Sequence, residues 1–121
     1  MARSVMAEYF FKQDYAALRH VSKSCGVDVK DQGEIVPIQV WQAMMEKGID
    51  IKHHRSVQLR EGHLEWPDKA IVLCKPNFCP DYLRNSRKSE FWYIDDPIKG
   101  YDSITHARDI IEVKISNIFS T

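Results

Sequence analysis

The 121-residue sequence has no excess of either charge: 17 Lys and Arg balance 17 Asp and Glu, and the pI is near 7.0. That balance removes any bulk attraction to nucleic acid or to an anionic membrane, so an anion site in this chain has to be local. Long apolar runs are missing too. The longest, such as Ala70-Ile71-Val72-Leu73-Cys74, are far too short to span a bilayer. The first residues lack the cationic region and apolar core of a signal peptide. Cysteines number three, without regular spacing, which argues against a disulfide scaffold and agrees with a reducing compartment. The expected localisation is cytoplasmic, with neither a membrane nor a nucleic-acid partner. No repeat of fixed period and no low-complexity tract interrupts the chain. With 44% hydrophobic residues, the expectation is one compact domain spanning 1–121 around a single core.

What is present is an alternation of helical and strand-like patterns. Val5, Met6, Tyr9 and Phe10 recur at helical spacing after Ser4, which predicts a helix from Ser4 to about Gln13. Residues 20–25 alternate weakly up to Gly26 and read as a strand, followed by a polar surface loop over 27–34. Pro37 suits the first turn of a second helix, whose apolar stripe Ile38, Val40, Trp41, Met44 and Met45 stops at Lys47-Gly48. Residues 58–66 look like a shorter helix stopped by Pro67. The run 69–74 predicts a strand buried on both faces of a parallel sheet, and 90–94 predicts another. A last helix spans about 103–119, with Ile104, Ala107, Ile110, Ile111, Ile115 and Ile118 on one face. Strands alternating with helices imply an α/β fold, a three-layer sandwich around a small parallel sheet.

In such sheets ligands bind beyond the carboxyl ends of the strands. The Asp95-Asp96-Pro97 loop follows one strand end, and the Arg3-Ser4 helix start would sit at another. A helix N-terminus presents unpaired N–H groups and a positive dipole end, and an adjacent arginine adds a charged fork, so this pairing suits an oxyanion. His53, His54 and His63 have no carboxylate at ligand spacing, and no second pair accompanies Cys74 and Cys79. No metal site is expected.

Four motifs carry a resemblance: Ala2-Arg3-Ser4-Val5-Met6-Ala7-Glu8, Met45-Glu46-Lys47-Gly48-Ile49-Asp50, Arg55-Ser56-Val57-Gln58-Leu59 and Asp95-Asp96-Pro97. In this order they resemble the low-molecular-weight protein tyrosine phosphatases and the related thioredoxin-coupled arsenate reductases. The similarity covers nearly the whole chain. In that family a central strand leads into a Cys-x5-Arg-Ser loop whose N–H groups and arginine cradle phosphate while the cysteine thiolate attacks phosphorus. The resemblance implies that Arg3 clamps phosphate, that Ser4 hydrogen-bonds the thiolate, and that Asp96 is the general acid. It implies no cofactor. Cys74 and Cys79 would correspond to the second and third cysteines of the reductases, which relay a disulfide; the alternative is that Cys74 packs as a small apolar group.

The sequence departs from the family pattern in two places. Counting back six positions from Arg3 runs off the 121 residues, so the nucleophile, most of its loop and the first central strand are not among them. Either Met1 is an internal methionine of a chain about 12 to 18 residues longer, or the short chain is a non-catalytic remnant or borrows a strand from a partner. The first is the favoured expectation. Ile98 stands where family phosphatases often carry an aromatic after Asp-Pro, which bears on aryl phosphate preference. Three functions follow: a phosphomonoester hydrolase acting through a cysteinyl-phosphate in its complete form and inactive as these 121 residues; a thiol-coupled arsenate reductase; or a non-catalytic anion-binding or interaction module. The expected partners are a phosphate- or arsenate-like oxyanion, a phosphoprotein and, through open sheet edges, a second copy of the chain.

Overall fold

Residues 2–15 contain neither glycine nor proline, and they form α1, Ala2–Tyr15. The computed structural model describes residues 2–15, 20–26, 35–73, 75–95, 97 and 100–118. Val5, Met6 and Phe10 of α1 are almost completely buried. The helix runs past the expected end at Gln13 because Tyr15 is held in place. Its hydroxyl donates to the carbonyls of Ile115 (2.7 Å) and Ser116 (3.1 Å) at the end of the last helix.

That last helix, α4, spans Tyr101–Ser116 and buries Ile104, Ala107, Ile111 and Ile115, one turn apart along a single face. It begins directly after Gly100, whose φ of +83° turns the chain into the helix, two residues earlier than the apolar periodicity indicates. The helix α2, Ile38–Met45, starts one residue after Pro37. The Pro37 carbonyl accepts the first helical bonds, from the N–H groups of Val40 and Trp41. Its other end closes through Gly48, at φ +75°, after which the Ile49 N–H reaches back to the Met44 carbonyl at 3.1 Å. This closure accounts for the Met45–Asp50 motif.

Two strands pair in parallel: β1, Ala70–Val72, and β2, Ser89–Phe91, with Ala70 opposite Ser89 and Val72 opposite Phe91. A parallel pair needs a crossover. Here it contains a 3-10 turn, Pro76–Phe78, and a one-turn helix α3, Asp81–Arg84. Side chains alternate across the sheet. Leu73, Trp92 and Ile94 enter the main core with α1, α2 and α4, while Val72 and Phe91 join Leu59, Cys79 and Leu83 in a second, smaller core. Both faces are therefore covered, and the fold is α/β with a small parallel sheet between two layers. Among the described residues no helix is long and apolar enough to cross a membrane.

Two expected elements are absent in the predicted form. Residues 20–25 do not form a strand, because a strand needs a ladder and this segment reaches one only through the single parallel bridge Gly26–Gln58. Side chains hold it instead: Ser22 Oγ donates to the Glu8 carbonyl (3.2 Å) and Ser24 Oγ to Glu8 Oε1 (2.5 Å). The expected helix over 58–66 is reduced to one 3-10 turn, Glu61–Leu64. Its start is committed elsewhere, since the Leu59 N–H donates to the Gly26 carbonyl at 2.7 Å and Arg60 is extended. Gly62 also weakens helix propagation. The strands themselves are shorter than the apolar runs that predicted them, and the loop read over 27–34 lies outside the described residues.

Candidate active site

The carboxyl ends of β1 and β2 are joined by one side chain. Arg3, in the first turn of α1, sends its Nη1 to the carbonyl of Leu73 at 2.6 Å and to the carbonyl of Ile94 at 2.7 Å. Leu73 is one residue beyond β1 and Ile94 three beyond β2. Both carbonyls belong to residues whose side chains are buried, so the guanidinium supplies charge-assisted donors to backbone acceptors at the edge of the main core. A guanidinium is planar and carries five N–H donors in a fixed fork, so two bonds from one nitrogen also set the plane of the group. The helix N-terminus, the end of β1 and the end of β2 thus meet at Arg3.

Ser4 follows Arg3 in the same turn and is half-buried. Asp96 and Cys74 lie outside the described residues. Their neighbours do not: Asp95 is exposed and directly follows Ile94, Pro97 is half-buried three residues beyond Ile94, and Leu73 directly precedes Cys74. Cys79 is buried in the smaller core, where its Sγ donates to the Lys75 carbonyl at 3.3 Å. The structure therefore joins Arg3 to the two strand ends that lead to Cys74 and Asp96.

The histidines have structural settings. His54 stands edge-on to the Tyr9 ring, with centroids 5.7 Å apart, and partial burial holds its pKa below the ordinary imidazole value despite the nearby Glu8 carboxylate. His63 Nδ1 accepts from the Arg60 N–H at 3.0 Å, closing the 3-10 turn, and His53 is exposed.

A group that sequence reasoning passed over is Glu8. Its side chain is buried inside α1, with Oε2 paired to Lys12 Nζ at 2.5 Å and Oε1 taking the Ser24 hydroxyl. The i,i+4 spacing of Glu8 and Lys12 signals their pairing. The bond to Ser24 crosses 16 residues and leaves no periodic trace. Beside this cluster the Cys25 thiol is half-buried, and burial first, then the Glu8 carboxylate, raises its pKa. Cys25 is thus kept in the unreactive thiol form.

Comparison with known proteins gives this arrangement a context. The family model described as low molecular weight phosphotyrosine protein phosphatase matches residues 1–121. The arsenate reductase of Staphylococcus aureus strain Newman is 32% identical over 121 residues, covering 98% of this chain and 88% of that protein. Among solved structures, the low molecular weight protein tyrosine phosphatase from T. tengcongensis superimposes with a TM-score of 0.81 at 22% identity, over 96% of this chain and 88% of that one. The YwlE arginine phosphatase from Geobacillus stearothermophilus gives 0.76 at 24% identity, over 96% and 82%. At such identities the two structures speak for the fold alone. The family model and the relative at 32% identity go further: this chain belongs to the low molecular weight phosphotyrosine protein phosphatase family.

Proposed function

We propose that the carboxyl edge of the sheet is an oxyanion site serving a phosphatase-like or arsenate reductase role, and that its chemistry is phosphomonoester hydrolysis through a cysteinyl-phosphate. The observation that carries this reading is the bridge from Arg3 Nη1 to the Leu73 and Ile94 carbonyls. It orients a cationic fork where α1 begins and where both strands end, which is where an open α/β sheet receives its ligand. In the proposal Arg3 clamps the oxyanion, and the first N–H groups of α1 add donors without a net change of protonation. Ser4 would hydrogen-bond the attacking thiolate, and Asp96 would protonate the leaving oxygen as general acid. In the family pattern the attacking cysteine stands six positions before Arg3, and oxyanion binding at Arg3 is the part of the proposal that these residues test.

The test is calorimetric titration of the 121-residue protein with inorganic phosphate and with arsenate. Binding that is lost in Arg3→Ala supports the site. Binding that survives the substitution, or no binding of either anion to the unmodified protein, would sink it and leave a non-catalytic interaction module as the better reading. Turnover of an aryl phosphate at mildly acidic pH by the unmodified protein, lost in Arg3→Ala, would refute the non-catalytic module.

A second reading, thiol-coupled arsenate reduction, draws support from the 32% identity to the staphylococcal arsenate reductase and from Cys79 lying five residues after Cys74. Replacing Cys74 and Cys79 singly distinguishes the two. Loss of turnover only in the presence of a dithiol reductant favours the reductase, and unchanged phosphate ester hydrolysis favours the phosphatase.

A further inference from the structure

β2 has one paired side and one unpaired side. Its bonds to β1 come from alternate residues: the Ala70 N–H donates to the Lys88 carbonyl at 2.9 Å, and the Trp92 N–H to the Val72 carbonyl at 2.9 Å. In a parallel ladder this sets residues 88, 90 and 92 against β1 and turns the N–H and C=O of Phe91 the other way. Among the described residues nothing pairs with those two groups, and the sheet ends at β2. The open stretch is short. The Ser89 N–H is committed to the Ser86 carbonyl at 3.2 Å, and beyond Trp92 the chain turns, with the Ile94 N–H donating to the Trp92 carbonyl at 3.2 Å. Phe91 thus offers one donor and one acceptor, which only another strand returns in kind.

The side chains around this edge match a copy of themselves. A two-fold axis beside Phe91 lets each Phe91 N–H donate to the other's carbonyl and sets Glu90 of one chain opposite Trp92 of the second copy. The Trp92 indole N–H donates to Glu90 Oε2 at 2.7 Å, and Lys114 Nζ stands 5.5 Å from the Trp92 ring centre. Pairing therefore carries each Glu90 carboxylate to a ring capped by Lys114 of the second copy, an acid against a cation at two symmetric places. Charged side chains ordinarily deter edge pairing. Here their pattern selects a partner with the same edge. Beside it, Lys69, Glu90, Trp92, Val113 and Lys114 line an open groove of about 340 Å³, in which Val113 is 60% exposed. On the other face of the sheet the half-buried Phe91, at the rim of the smaller core, meets its own copy. We infer that β2 is an interaction surface for a second copy of this chain, and that antiparallel pairing about Phe91 joins the sheets of both copies into one.

The experiment is sedimentation velocity of the 121-residue protein from dilute to millimolar concentration, with amide hydrogen exchange at Phe91 followed over the same series. The expected result is a reversible monomer–dimer equilibrium in which protection of the Phe91 amide rises with the dimer fraction. Phe91→Pro removes the outward donor and no bond to β1, and should stay monomeric throughout. Glu90→Arg leaves the backbone untouched and turns two attractive cross-strand pairs into repulsive ones, so association should weaken about tenfold. Adding Lys114→Glu to Glu90→Arg should restore it. The charge variants keep the test independent of whether Phe91→Pro folds. A protein that is monomeric at every concentration overturns the proposal. So does a dimer in which the Phe91 amide exchanges as fast as in the monomer, or one whose affinity Glu90→Arg leaves unchanged.

Discussion

Replacing Arg3 tests the centre of the argument, because one nitrogen of this side chain ties together three elements. In Arg3→Ala the Leu73 and Ile94 carbonyls lose a charged donor, at 2.6 and 2.7 Å. Hydrogen bonds to charged groups contribute about 1.5–3 kcal/mol net when buried. Both bonds share one nitrogen and Arg3 itself is only half-buried, so water can reach part of the vacated space. The expected loss is therefore about 2–4 kcal/mol for the pair together. Arg3→Lys retains a cation but not the planar fork, and it should recover about half of that by bonding one carbonyl. The assay is urea denaturation followed by tryptophan fluorescence, with Trp92 buried beside the affected strand end. Repeating it in phosphate adds the functional arm. A ligand that binds only the folded state stabilises it by about 2.7 kcal/mol at one hundred times its Kd, and this increment should be present in the unmodified protein and absent in Arg3→Ala. An Arg3→Ala protein within about 0.5 kcal/mol of the original, an ordinary surface substitution, would refute the idea that Arg3 pins the two strand ends.

Two further outcomes follow from the α2 terminus. Gly48 sits at φ +75° with open space where a Cβ would stand, so Gly48→Ala should cost about 1–2 kcal/mol through backbone conformation alone, read as a lower urea midpoint with unchanged slope. An unaltered midpoint would mean that the turn relaxes freely. Glu46 accepts from Arg108 Nη1 at 2.6 Å and from the Tyr101 hydroxyl at 2.7 Å, and these bonds, Arg108 first, hold its carboxyl below the ordinary value of 4.5. A depressed folded pKa means stability that is complete above 4.5 and lost as pH falls through the folded value. Acid titration of stability should therefore be shallower below pH 4.5 in Arg108→Met than in the original protein, and parallel curves would contradict the coupling.

The covered α4 face, the Gly48 stop and the parallel relation of the two apolar runs were all legible in the sequence, because each depends on local periodicity or on a backbone conformation that few residues adopt. Arg3-Ser4 was also readable as an anion-friendly helix start, since helix polarity is independent of what the helix packs against. What tertiary structure decided were the contacts between residues far apart along the chain. Nothing in the pattern indicates that Arg3 would reach carbonyls 70 and 91 residues away, or that Glu8 would be buried against Ser24. Residues 20–25 carry a weak strand pattern that only a neighbouring ladder could realise, and side-chain bonds to α1 hold the segment instead.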